Sequence, residues 1–316
     1  MTIDRRTPEA ASLRHLFHSQ WTHFLQLFNA WNARHLTKEK QKAALTQAIE
    51  TVVDSTDVRL RGLGNYKNKL RHGVRALLHH VEELVASLPG SVAVNQKSFG
   101  KNPLLNALFV NKEEMKKIFS RSRELQHYFS SGQSKKVDEA FALLFVRKEE
   151  KTILGKHLNG DILFSDVKQT IVNFTEHLVV SPGASEEATR NSLKKMLFAR
   201  IVEYVEIHMT RLRYRQAEDS QTAKPSVNLK NPAIYLETLS GILNEPEELV
   251  KLQQQFLRLN KMGVKLTEES VAAENRLHLY ELIIGKQPPQ VVCLVSYPRN
   301  EMIPADKLLQ EISRGL

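Results

Sequence analysis

Apolar positions along the first third of the chain recur at steps of three and four. Between residues 8 and 36, Leu13, Phe17, Trp21, Phe24, Phe28 and Trp31 share one side of a helix. A second helix is predicted from about Thr37, carried by Leu45, Ala48, Ile49, Val52 and Val53. DSTD at 54–57 then offers side-chain oxygens for a turn or a new helix start. A third helix is predicted over 65–88, where Leu70, Val74, Leu77, Val81, Leu84 and Leu88 alternate steps of four and three before LPGS stops them. Asn111 with Glu114 resembles a capping box, predicting a short helix that contains Met115, Ile118 and Phe119. Another is predicted over 122–129.

From 139 to 180 the period changes. EAFALLFVRKEEKTILGKHLNGDILF and VKQTIVNFTEHLVV read as strands, with Asn159-Gly160 as a tight-turn dipeptide, so an antiparallel meander is expected. A helix of about 30 residues follows from 185 to about 215 by its apolar spacing. A short helix at 232–243 is predicted next. A second, at about 246–262, carries Leu249, Leu252, Phe256 and Leu259 and ends at Gly263 in a left-handed conformation. These two would fold back on the long one as an antiparallel helical hairpin spanning 185–262. RLHLYELIIG and QVVCLVSYP read as further strands that join the meander, and PADKLLQEI as a closing amphipathic helix.

The expected class is therefore α+β, with a basic helical region at 1–137 and an α+β region at 138–316. No stretch reaches the roughly 20 apolar residues of a membrane-spanning helix. MTIDRRTPEA has charges but no apolar run behind it, so no secretory signal is expected, and the single cysteine fits a reducing, cytoplasmic setting. Cys293 lies within VVCLVSY, where a buried thiol is the simpler reading than a nucleophile.

The net charge of +10 is unevenly spread. Residues 1–137 hold 22 Lys and Arg against 11 Asp and Glu, whereas the rest of the chain is close to balanced. The excess concentrates in RLRGLGNYKNKLRHGVRALLHH at 59–80, where no carboxylate occurs. On a helix, Lys67, Arg71, Arg75 and His79 form a cationic ridge beside the apolar stripe, and Arg59, Arg61 and Lys69 add charge near its start. These seven residues are the candidate contacts for a polyanion, nucleic acid among them, because neutralising several phosphates releases counterions without any base reading. The competing reading is a solvated helix face. RLRYR at 211–215 is a second basic cluster that the helix dipole alone explains if the helix ends there.

Chemistry-bearing motifs are sparse. GLGNYKNKLRHG lacks a nucleotide-binding spacing, and no GxSxG, HExxH or CxxC is present. ELQH at 124–127 has a Glu-x-x-His spacing but no second copy. His15, His18 and His23 do not converge on a metal, and Asp161, Asp166 and Glu176 form at most an acidic pair in the strand region. No catalytic residue, metal or cofactor is assigned. The expected function is a non-enzymatic binding or scaffold protein. The alternatives are an adaptor self-associating through its long helices, a peripheral binder of anionic membrane, and an enzyme without a recognisable motif.

Overall fold

A computed structural model describes residues 38–131, 137–159, 162–219, 229–260, 262–266, 275–304 and 308. The helix expected before residue 37 and the closing helix after Pro304 lie outside them, apart from Leu308. The chain mixes helices with one antiparallel, curled sheet, as expected for α+β. Among the described residues no helix is long and apolar enough to cross a membrane.

Two compact units emerge, dividing after Glu83, Leu193 and Leu249. The first contains α1 (Lys38–Thr56), a 3-10 turn (Val58–Gly62), most of α2 (Tyr66–Ser87), the greater part of α7 (Glu186–Asp219), α8 (Pro232–Leu243) and α9 (Pro246–Leu249). Its apolar stripes are the expected ones: Val52 and Val53 on α1, and Leu70, Val74, Leu77 and Val81 on α2, are all buried. On α7 the buried side is broad, with Leu197, Phe198, Ile201, Val202, Val205 and Met209 all turned inward. Gly73 lies on the buried side of α2 because Leu243 of α8 approaches there. A Cβ at that position would stand 2.8 Å from the Leu243 Cβ.

The second unit is built on the sheet, in the order β3-β2-β6-β5-β4. Strands β2 (Glu139–Asn159) and β3 (Ile162–Gly183) form one long hairpin. Only residues 139–146 of β2 also pair with β6 (Gln290–Pro298), so beyond Val146 the hairpin leaves β6 behind. Asn159 pairs with Ile162, one residue beyond where the Asn-Gly reading ends the strand. The expected meander is thus two strand groups joined by the β2–β6 pairing. Three register shifts each give β3 one extra residue, at Asp166, Glu176 and Ser181, whose φ values are 60°, 52° and 54°. Left-handed backbone at a bulge bends the strand and costs a non-glycine residue about 1 kcal/mol.

The largest correction concerns residues 250–259. After α9 the chain enters β4 (Val250–Leu259), which pairs along its whole length with β5 (Asn275–Ile284), so no helical hairpin reaches 262. Leu249, Leu252, Phe256 and Leu259 obey helical spacing, but cross-strand pairing with β5 decides the outcome, as tertiary context does for weak local preferences. Gly263 is left-handed as expected, with φ 76°, yet it serves the sheet. Its carbonyl accepts from the Val172 N–H at 2.9 Å, and bridges from Val264 to Ile171 and from Lys265 to Leu259 tie the β4 edge to β3.

Inward residues alternate along each strand, with Ala140, Ala142, Leu144 and Val146 meeting Val291, Cys293, Val295 and Tyr297 in one core. That core is covered by residues from α4 (Pro103–Leu108), α5 (Lys112–Arg121) and α6 (Arg123–Ser130), including Leu105, Phe119 and Leu125. The short β1 (Val92–Ala93) adds parallel to β6, and the short α3 (Gln96–Phe99) precedes α4. Asn111 caps α5 by accepting from the Glu114 N–H at 2.7 Å. The Glu114 carboxylate answers the Val110 N–H at 3.0 Å, so the capping box closes one residue early.

Candidate functional site

The basic stretch begins at a cap. Asp57 accepts from the Arg59 N–H at 3.0 Å and opens the 3-10 turn, whose Leu60 is fully buried. This places Arg59 and Arg61 beside α1. Tyr66 then starts α2 with its hydroxyl donating to Glu50 at 2.8 Å. Acids of α1 meet two of the basic side chains, and acids nearby in the chain meet two more. Arg59 pairs with Asp57 at 2.8 Å, Arg61 with Asp54 at 2.5 Å, Lys67 with Glu50 at 2.8 Å and His79 with Glu83 at 3.3 Å.

An unneutralised ridge is therefore corrected at Arg59, Arg61, Lys67 and His79. Absence of acid between 58 and 81 does not leave a helix unpaired when α1 lies alongside it. Lys69, Arg71 and Arg75 differ. All three are exposed, and among the described residues none of them has an ion pair. At 100° per residue Arg71 and Arg75 lie about 40° apart and one turn along, whereas Lys69 lies about 160° from Arg71. The cationic feature left open is an Arg71–Arg75 pair with Lys69 on the opposite flank.

The acids behind this surface are shifted accordingly. Burial opposes ionisation of Glu50, but hydrogen bonds from Lys67 and Tyr66 and the charge of Arg61 hold its carboxyl below the usual range. Asp57 is likewise penalised by burial yet lowered by Arg59 and Arg213. Arg213, from the second basic cluster, reaches Asp57 with Nη2 and lies over the Tyr235 ring at 4.1 Å. Because α7 runs on to Asp219, Arg213 is not in a last turn, and the dipole explanation gives way to this ion pair.

Within the second unit, a cavity of about 530 Å³ opens between the α4–α5 connection and the sheet. Phe109, Val172 and Phe174 supply apolar wall, and Asn173, Thr175 and Asn260 supply polar groups. His177, near its edge, is committed to the Leu108 carbonyl at 2.6 Å and stacks on Phe109 at 4.9 Å. The other chemical candidates have structural duties. Glu124 of ELQH accepts from the Ser181 N–H at 2.6 Å. Asp166 and Glu176 are bulge residues, Glu176 pairing with Arg147 at 2.9 Å, and Asp161 lies outside the described residues. Cys293 is buried, and burial pushes its thiol up to about 12. Lys148 pairs with Glu281 at 2.7 Å and Glu150 at 3.5 Å, and Lys265 meets Glu150 at 3.6 Å, so two cations and two carboxylates balance. Among the described residues no three His, Cys, Asp or Glu side chains gather as metal ligands; His15, His18 and His23 lie outside them.

Sequence reasoning missed the surface of β4 and β5, because 250–259 reads as a helix. The available signal was period-two alternation in NRLHLYELII, which calls for an equally alternating neighbour. No protein-family model matches the chain, and no curated protein or solved structure matches it.

Proposed function

We propose that this chain is a non-enzymatic binding protein that meets a polyanion, nucleic acid foremost, through the exposed Arg71 and Arg75 of α2, with Lys69 contributing from the flank. The observation that carries the reading is selective pairing. Arg59, Arg61, Lys67 and His79 have acidic neighbours, while Arg71 and Arg75 stand exposed one turn apart on a helix whose inner face is fully buried. A guanidinium presents a planar fork suited to phosphate oxygens, and two of them 6 Å apart along an axis, about four residues of rise, suit adjacent phosphates. Arg61 and Lys67 then serve as scaffold, holding α1 to the start of α2.

A panel of heparin, duplex DNA, single-stranded DNA and inorganic polyphosphate at 50 mM salt tests this. The full-length chain binds at least one polymer, and the double variant Arg71→Glu/Arg75→Glu binds it about tenfold or more weakly, each reversed contact costing about 1 kcal/mol or more. Binding that survives the double reversal unchanged, or no binding of any polymer, refutes the proposal.

A further inference from the structure

Strands β4 and β5 turn one set of side chains into the core and the other outward. The outward set forms five cross-strand pairs: Val250 with Ile284, Leu252 with Leu282, Gln254 with Tyr280, Phe256 with His278, and Arg258 with Arg276. Along the ladder the character changes from buried aliphatic to exposed aromatic and cationic. Val250 is fully buried, whereas Phe256 is 67% exposed. Its ring meets His278 edge-on, with centroids 4.3 Å apart at 72°. None of the ten positions is a carboxylate.

Phe suits a strand and its pairing with His278 supports the sheet, but at 67% exposure its ring also stays open to a ligand. Here it has an imidazole across from it, a Tyr two residues along the neighbouring strand, an amide opposite that Tyr and two arginines at the rim. Arg258 and Arg276 each engage another group of the chain. π-faces beside arginine side chains, on a ladder whose ten outward positions hold no carboxylate, are the chemistry that holds unpaired bases and their phosphates. Two residues along a strand advance about 6.6 Å, roughly twice the 3.4 Å rise between stacked bases. Rings at that interval suit an extended chain whose bases are splayed apart, not a duplex.

We infer that the outward face of β4–β5, centred on Phe256, His278 and Tyr280 with Arg258 and Arg276 at its rim, is a stacking platform for single-stranded nucleic acid. The inference rests on the polyanion reading for the class of partner and narrows it to one kind. Phe256 and Tyr280 offer π-faces for bases, His278 buttresses the Phe256 ring, Gln254 offers donor and acceptor to a base edge, and the guanidiniums meet the backbone. Binding tolerates any base, since every base has a π-face.

The test uses the full chain and fluorescence anisotropy with labelled oligo-dT and oligo-U of 12 residues, alongside a duplex of the same length and heparin. Phe256→Ala weakens single-strand binding about 5- to 100-fold, Phe256→Trp retains it, and Phe256→Leu, which keeps bulk without a π-face, behaves like Ala. Duplex and heparin binding stay unchanged in all three. Single-strand binding that is indifferent to Phe256→Ala and Tyr280→Ala but falls in Arg71→Glu/Arg75→Glu overturns the platform and leaves the polyanion reading standing. Failure of every polymer to bind the wild-type chain overturns both.

Discussion

Removing Arg213 is the sharpest test of how the basic residues of the first unit are used. Its guanidinium is about one-third exposed, whereas the Asp57 carboxylate it meets is 6% exposed. Truncation to Ala leaves that carboxylate with Arg59 alone and uncovers the Tyr235 ring. Breaking a buried pair by deleting one partner costs about 3–5 kcal/mol, and the partial exposure of Arg213 and the surviving Arg59 contact reduce this to about 2–3 kcal/mol. Asp57→Asn keeps a side-chain acceptor for the Arg59 N–H, so the cap survives, but strands the Arg213 charge at a cost of about 2 kcal/mol. The double variant loses the pair only once. Its destabilisation falls about 1.5–2 kcal/mol short of the sum of the single effects, the signature of direct coupling. Urea unfolding followed by circular dichroism measures this, provided the slope with denaturant is unchanged among the four proteins. Additivity within about 0.5 kcal/mol refutes the assignment of Arg213 as a structural partner and returns RLRYR to the candidate surface.

Four further outcomes follow from local geometry. Gly73→Ala destabilises by about 1–2 kcal/mol, because overpacking against Leu243 outweighs the roughly 0.8–1 kcal/mol that Ala contributes in a helix. Gly62→Ala, with nothing within 4 Å of its Cβ, is near neutral by the same urea measurement. Cys293 resists a disulfide reagent at pH 8 in the native protein and reacts only as fast as the chain unfolds, since its thiol titrates at about 12; rapid native labelling contradicts its burial. Glu50 and Asp57 titrate below their ordinary values, so the unfolded chain binds more protons as pH falls. Their contribution is fully present above the usual carboxylate range near pH 4 and is lost as pH falls through the lowered values. Glu50→Gln and Asp57→Asn therefore flatten the decline of the urea midpoint between pH 5 and 3.

What was legible in the sequence was local. The α2 stripe from Leu70 to Leu88, the Asp57 oxygen at the end of DSTD and the Asn111 cap each depend on neighbours within about a turn, and each stands where its spacing places it. Residues 250–259 were not legible, since Leu252, Phe256 and Leu259 satisfy a helical period while β5, some 25 residues on, supplies the competing hydrogen bonds. The bulges at Asp166, Glu176 and Ser181 carry no glycine to announce a left-handed backbone. The candidate site divided the same way. Burial beneath the ridge followed from periodicity, but Glu50 and Asp54 reach Lys67 and Arg61 across a helix end and a turn, a pairing that no window on 58–81 contains.

The central claim is that Arg71 and Arg75, not the whole basic stretch, contact the polyanion. The slope of log affinity against log salt for a short DNA duplex, taken between 50 and 200 mM, measures it most directly. Three phosphate contacts predict a slope of about −2.7 for the wild-type chain and about −0.9 for Arg71→Gln/Arg75→Gln, which keeps Lys69 alone. Arg61→Gln/Lys67→Gln leaves the slope at its wild-type value. Equal slopes for wild type and Arg71→Gln/Arg75→Gln, or a fall in slope only for Arg61→Gln/Lys67→Gln, contradict the account.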